Sequence, residues 1–479
     1  MPIRCALAVL PLLASMACAS KDVDPGTGSG GSSSGTGGGS GSGAVLGGSG
    51  GAGAAGRGGA STGGEKPGAG AGGSGGTTGG TAGDKSSAGG AGMPLGGVGS
   101  AGLGGTAAGG AAAGGAGLSG AGGRAAGGAG GSAGANAGPV SITVFEDAVF
   151  FDGYATVSND PVPAGVVRLR NDLLTRKLTD AELDSIQNTL KVEVVIGALC
   201  DNYDRIGSVA LAFVPKGQSK YAPDDVERIE VGRYITPFMD KNKKPDEVPY
   251  DFDADNLAPV LRDPELRAEF DLWLELELFG VPYAANDEVS GCANRSDVFR
   301  GSVTLASDSS AAAAAFNDLL PLTYKASFNN YERGATDMIG ATKKTLEFTL
   351  AADTADTQLV LITSNHGANS GGEEYSRRDH FVSVDGEQVL KYKPGRTSCE
   401  PFRMFNTQAN GIYGSSKRSD SDWQSFSNWC PGDVIDTRVI PLGALPAGKH
   451  SFVIEVPDAE FVGGEGNLPV SLYVQSLTN

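Results

Sequence analysis

Three short segments hold residue types better suited to chemistry than to packing. The first is Cys200-Asp201-Asn202-Tyr203-Asp204-Arg205. The second is the Gly-rich stretch from Asn365-His366-Gly367 to Glu373-Glu374-Tyr375, and the third is Trp429-Cys430-Pro431-Gly432, followed by Thr437-Arg438. The first two carry carboxylates. One carboxylate takes a proton from water while a neighbouring protonated carboxyl gives one away. Two or three such groups in one place cannot all ionise cheaply, so at least one is driven toward its neutral form and the roles separate. Plainer readings stand beside this one. An Asp-Arg pair at a strand entrance is ordinarily a surface salt bridge worth little, and an outward Glu on an alternating strand is ordinarily solvated. His366, His380 and His450 are the only histidines, and there is no C-x-x-C pair, so neither a metal nor a cofactor is expected.

The elements that must position these residues read as strands. Period-two alternation recurs over Arg205–Pro215, Glu227–Phe238, Glu269–Phe279, Thr345–Leu350, Leu359–Thr363, His450–Val456 and Leu468–Val474. His380–Tyr392 reads as a hairpin turning at Asp385-Gly386, a pair that a type I′ turn prefers. Strands at such intervals argue for antiparallel sandwiches and an all-β fold. Helix is sparse. Thr179-x-x-Glu182 predicts a capping box opening a helix to about Leu190, and Ser310–Leu320 reads as a helical linker. The expected division is a first domain at 139–307, a linker at 308–317 and a second domain at 318–479.

Folding is confined to the part of the chain beyond Gly138. Of the 76 glycines in 479 residues, 52 lie between Lys21 and Gly138, and all 33 aromatics lie beyond it. A Gly/Ala/Ser segment without aromatics cannot bury enough apolar surface to offset the entropy of ordering it, so residues 20–138 are expected to be a disordered tether. With about 120 residues it would span roughly 60 Å as a coil. Beyond it the net charge is −20, which repels phosphate backbones and argues against a nucleic-acid partner.

Residues 1–19 read as an export signal, with Arg4 as the basic region and Ala6 to Ala14 as the apolar stretch. Ser15-Met16-Ala17-Cys18 resembles a bacterial lipoprotein signal, which would lipidate Cys18 and anchor the protein at the outer membrane or cell surface. Ala17-Cys18-Ala19 is alternatively an ordinary cleavage site that would release it. The remaining cysteines, Cys200, Cys292, Cys399 and Cys430, suggest two disulfides in an exported chain, with three possible connectivities.

Taken in order, Cys-Asp-x-aromatic-Asp-Arg, Gly232-Arg233-Tyr234-Ile235-Thr236-Pro237-Phe238, Gly-Gly-x-Glu-aromatic, His380 and Trp-Cys-Pro-Gly-x-x-x-x-Thr-Arg closely resemble the peptide:N-glycosidase F family. The resemblance spans nearly all of residues 190–479. It implies two jelly-roll domains side by side, with the active site at their interface. It also implies hydrolysis of the amide between asparagine and N-acetylglucosamine, which releases the glycan and leaves Asp. N-linked glycoproteins would be the partners, and a monomer is expected. The family's principal acid falls on Asp204, its loop carboxylate on Glu374 with Glu373 as fallback, and its third on Glu277, with Glu275 on the same face two residues earlier. Arg205 matches a substrate-contacting arginine. Arg233 would counter charge and fix the sugar, and Tyr375 and Trp429 would contact substrate, although Trp429 could equally pack in the interior. The resemblance implies Cys399–Cys430 as the family's remaining bridge and, with it, Cys200–Cys292.

The pattern also departs from the family. Gly372 and Ser376 stand where a cysteine pair clamps the glutamate loop, and the arginine expected before Trp429 is absent, with Ser425-Phe426-Ser427-Asn428 in that stretch. A non-catalytic glycan-binding surface protein is therefore the competing reading. A copper monooxygenase built on paired jelly rolls would need more His or Met ligands than this chain offers.

Overall fold

Two kinds of strand divide the first domain. β1 (Val140–Phe151), β4 (Lys191–Ala198), β7 (Glu247–Asp253) and β9 (Asp297–Ser307) form an antiparallel sheet in the order β1-β9-β4-β7. β7 alternates strictly, burying Val248, Tyr250 and Phe252 and exposing the residues between them. That is the pattern of a sheet with one face in water. The facing sheet holds β2 (Val166–Arg170), β3 (Leu173–Lys177), β5 (Ile206–Pro215), β6 (Glu227–Ile235) and β8 (Phe270–Leu278), in the order β6-β5-β8-β3-β2. Its central strand β5 is buried on both faces from Gly207 to Val214. One face, with Val209, Leu211 and Phe213, fills the sandwich core. The other carries Ser208, beside Arg233 and Glu277, where the second domain covers it, and Ala212 and Val214, which pack with Tyr221 and Trp273.

These features belong to a computed structural model that describes residues 138–327, 343–367, 373–425, 428–459 and 467–478. The export signal, Cys18, nearly all of the tether, and Gly371 and Gly372 lie outside the described residues. Among the described residues, no helix is long and apolar enough to cross a membrane.

The second domain is also a two-sheet sandwich. β10 (Ala315–Ser327), β12 (Thr354–Thr363), β16 (Thr437–Leu445) and β18 (Pro469–Thr478) run in the order β10-β18-β12-β16. β11 (Lys343–Leu350), β13 (His380–Val384), β14 (Glu387–Tyr392) and β17 (Gly448–Glu455) run in the order β11-β17-β13-β14. Leu359, Leu361, Val470 and Leu472 meet Val382, Phe452 and Ile454 in its core. Val360 and Tyr473 point the other way and join the first domain's core. The β13–β14 hairpin turns at Asp385 (φ 51°) and Gly386 (φ 82°), left-handed at both positions as a type I′ turn requires.

A two-residue strand, β15 (Val434–Ile435), leaves the second domain and pairs with β6, opposite Tyr234 and Arg233. It lengthens the first domain's sheet with chain from its neighbour.

Two sequence expectations are corrected. Ser310–Leu320 is no helix: β10 begins at Ala315 and pairs along β18, with Leu320 opposite Val474. Pairing across the chain outweighs the helix propensity of the alanine run. The helix opened by the Thr179 capping box is real but ends at Ser185, because Ile186 turns to an extended conformation.

Candidate active site

Asp204 sits in the loop entering β5, and its neighbours hold the backbone still. Thr236, at the end of β6, accepts the Arg205 amide at 2.7 Å through its hydroxyl and donates its own amide to the Arg205 carbonyl at 2.8 Å. The same hydroxyl donates to the Tyr203 carbonyl at 3.1 Å. Asp201, buried beneath, accepts from the Tyr203 and Val281 amides and from Arg205 Nε at 2.6 Å. The Cys200–Cys292 disulfide secures the start of the loop.

Glu374 arrives from the second domain between β12 and β13. Its carboxylate accepts the Gly367 amide at 3.2 Å and a hydrogen bond from the Tyr375 hydroxyl. Gly367 has φ +116°, a conformation open to glycine and strained for other residues. Asn428 grips the backbone: its carboxamide donates to the Glu373 and Glu374 carbonyls at 3.1 and 2.9 Å, and its amide to the Glu374 carbonyl at 3.2 Å. Glu373 is occupied by Arg378, at 2.8 and 3.2 Å.

Asp204 and Glu374, one from each domain, stand close enough to feel each other's charge. Burial first, and the Glu374 charge second, push the Asp204 carboxyl up to about 8, against the pull of Arg205. Burial also raises Glu374, while the Tyr375 hydroxyl and Gly367 amide favour its ionised form. Both carboxyls are therefore pushed toward their protonated forms. Burial, Glu374 and Asp204 all raise the Tyr375 phenol, so it stays a hydrogen-bond donor. Its ring is half-buried against the cluster of Phe238, Tyr413, Trp423 and the Cys399–Cys430 disulfide.

Other expected site residues lie elsewhere. Arg233 is fully buried. It bonds Glu230 at 2.7 and 2.9 Å, and reaches Ser364 Oγ at 2.8 Å and the Pro469 carbonyl at 2.9 Å in the second domain. No face of it is left for a sugar, which corrects that expectation. Trp429 is likewise interior: it packs on Ile235, Ile362 and Ile435 and donates Nε1 to the Asn365 carbonyl at 3.0 Å. Glu277 accepts from Arg170 at 3.0 Å and from Lys325 at 2.8 Å. Burial would raise its carboxyl, but Lys325 and Arg170 hold it down at about 2. Glu275 is bound by Arg228 and Tyr221. Arg205, clamped to Asp201, does counter the Asp204 charge.

Sequence reasoning missed the residues that connect the domains. Ser364 accepts from Arg233 and shares a hydrogen bond with His366 Nε2 at 2.7 Å; burial and the Arg233 charge lower that imidazole to about 3 and keep it neutral. Asn406 accepts the Phe238 amide, and Lys325 bonds both Ser208 and Glu277. Ser364, Asn406 and Lys325 lie in no pattern that local sequence would single out. His380 is buried, with Nδ1 on the Arg378 carbonyl. Among the described residues, no cluster of His, Cys, Asp and Glu could hold a metal ion.

Residues 141–293 match the family model for the N-terminal part of peptide-N-glycosidase F, and residues 335–475 match the model for its C-terminal part. The chain belongs to the peptide-N-glycosidase F family. Among solved structures it is similar to PNGF-II, with 22% identity and a TM-score of 0.51 over 71% of this chain and 65% of that one. It thus spans slightly less than two thirds of PNGF-II. It also matches PNGase F from Flavobacterium meningosepticum, described as a glycosylasparaginase, with 16% identity and a TM-score of 0.43 over 72% of this chain and 100% of that one. No curated protein sequence matches the chain. The peptide-N-glycosidase F fold accounts for the paired jelly rolls. Both expected disulfides, Cys200–Cys292 and Cys399–Cys430, are formed.

Proposed function

We propose that this protein hydrolyses the amide bond between asparagine and the first N-acetylglucosamine of N-linked glycoproteins. The observation that carries the reading is the meeting of two carboxyls from different domains, Asp204 and Glu374, with burial raising both. Glu374, whose ionised form Gly367 and Tyr375 favour, takes a proton from water as the water oxygen attacks the side-chain carbonyl carbon. Protonated Asp204 supplies a proton to the amide nitrogen as the carbon–nitrogen bond breaks. The asparagine becomes Asp and the glycan leaves as a glycosylamine. Arg205 limits the negative charge that builds up, and Tyr375 offers its half-buried ring to the substrate. Glu277, with both oxygens ion-paired, enters as a fixed negative charge, not as a proton carrier. Cys18 would anchor the enzyme to a bacterial surface, the tether spacing it from the membrane.

The test compares wild type with Asp204→Ala on an N-glycopeptide, with products identified by mass. Conversion of Asn to Asp by wild type alone supports amide cleavage. A sugar left on Asn would make the protein a glycosidase. No reaction at any pH, with glycan binding that survives Asp204→Asn, would leave a glycan-binding protein.

A further inference from the structure

Tyr154 and Tyr283 are both more than half exposed, at 52% and 59%. Their ring planes lie within 12° of each other, with centroids 6.4 Å apart. Phe279 buttresses Tyr154 edge-on at 5.2 Å. Neither tyrosine belongs to a buried cluster, so the rings align by stacking at the surface, with Phe279 behind, and not by burial.

The mount is rigid. Buried Asn171 donates to the Asp152, Ala155 and Thr156 carbonyls at 2.8, 3.3 and 3.1 Å, fixing the loop that carries Tyr154. The Gly153 amide donates to the Gly280 carbonyl at 2.9 Å, and a Cβ at Gly153 would fall 2.4 Å from the Phe279 ring, so glycine permits that close approach. Two residues before Tyr283, the Val281 amide is held at 2.8 Å by Asp201, the carboxylate that also clamps Arg205 beside Asp204. The two rings are therefore tied to the loop that bears the catalytic acid.

We propose that Tyr154 and Tyr283 form a platform on which pyranose rings of an oligosaccharide stack, carried on segments tied to the Asp204 loop. Its location rests on the amidase reading; its ligand chemistry rests on the rings. A sugar shows one face of C–H bonds and a rim of hydroxyls, which suits a flat aromatic face with a phenol at its edge. Asp152 flanks the pair, and the chain beyond Gly138 has a net charge of −20, so a neutral ligand fits better than an anionic one.

The test uses the full chain, with Tyr154→Ala/Tyr283→Ala and Tyr154→Phe/Tyr283→Phe as variants. Calorimetric titration with a free branched N-glycan and with chitobiose is run beside cleavage of glycopeptides carrying each. Alanine should weaken binding of the branched glycan about tenfold and raise its KM similarly, with kcat and the chitobiose values unchanged. Phenylalanine should retain binding. Equal affinity of wild type and the alanine variant, or equal losses for both ligands, overturns the platform while normal cleavage leaves the amidase reading intact. If nothing is cleaved yet the branched glycan binds through the tyrosines, the amidase reading fails and the platform stands. Dimerisation lost in the alanine variant without any effect on glycan would assign the rings to self-association instead.

Discussion

Asn428 bonds the Glu374 carbonyl twice, through its side chain at 2.9 Å and its backbone amide at 3.2 Å. Its carboxamide reaches the Glu373 carbonyl as well. Hydrogen bonds thus hold the glutamate loop where Gly372 and Ser376 leave no cysteine clamp. Asn428→Ala should lower kcat by about 10- to 100-fold through misplacement of Glu374, and reduce stability by about 1–3 kcal/mol through carbonyls left without donors. Steady-state kinetics and urea unfolding check both. An undiminished kcat would show that the loop holds itself.

The pH profile of kcat/KM should be bell-shaped. Asp204 must keep its proton, so the alkaline limb belongs near pH 8. Glu374 must lose its proton, so the acid limb lies above the ordinary glutamate range. Glu374→Gln removes the charge that helps raise Asp204, so the alkaline limb of the residual activity should move to lower pH. A limb that stays in place would separate the two carboxyls.

Stability should carry the same signature. Asp204 titrates at 3.8 when unfolded and is pushed to about 8 in the fold, so the native state binds the extra proton between those values. Its contribution is fully present below pH 4 and is lost as pH rises toward 8. Asp204→Asn should therefore raise Tm clearly at pH 8 and hardly at all at pH 4. Thermal melts across that range decide it, and a gap independent of pH would contradict the shift.

Arg233→Met strands the buried Glu230 carboxylate and should cost about 3–5 kcal/mol in urea unfolding. Adding Glu230→Leu should recover much of that loss, since no charge is then left unpaired. KM for a glycopeptide should stay within about twofold of wild type for the folded double variant. A large rise in KM alone would return Arg233 to the substrate.

Local chemistry was legible in the sequence where a motif is contiguous. Asp204, Glu374 and the Asp385-Gly386 turn lie in such stretches, and the fold brings the two acids together. Polar alternation was harder to read. Glu230, Arg233 and Glu275 sit at outward positions of strands, where a sequence implies water, yet all are buried: second-domain groups cap Arg233, and Tyr221 and Arg228 cover Glu275. Alternation reports which face a residue occupies, not what lies beyond that face. Asn428 acts on residues 54 and 55 positions away, a distance at which no local pattern speaks. The alanines before Phe316 favour helix until β18 pairs with the chain beyond them.

The short strand β15 also governs the order in which the molecule can be completed. The outer rim of β6 at Tyr234 and Arg233 finds its partner about 200 residues later, at Val434 and Ile435. A ribosome delivering about 5–20 residues per second leaves that rim bare for about 10–40 s, and a bare rim is a template for foreign chains. A fragment ending before residue 434 should therefore aggregate when expressed alone.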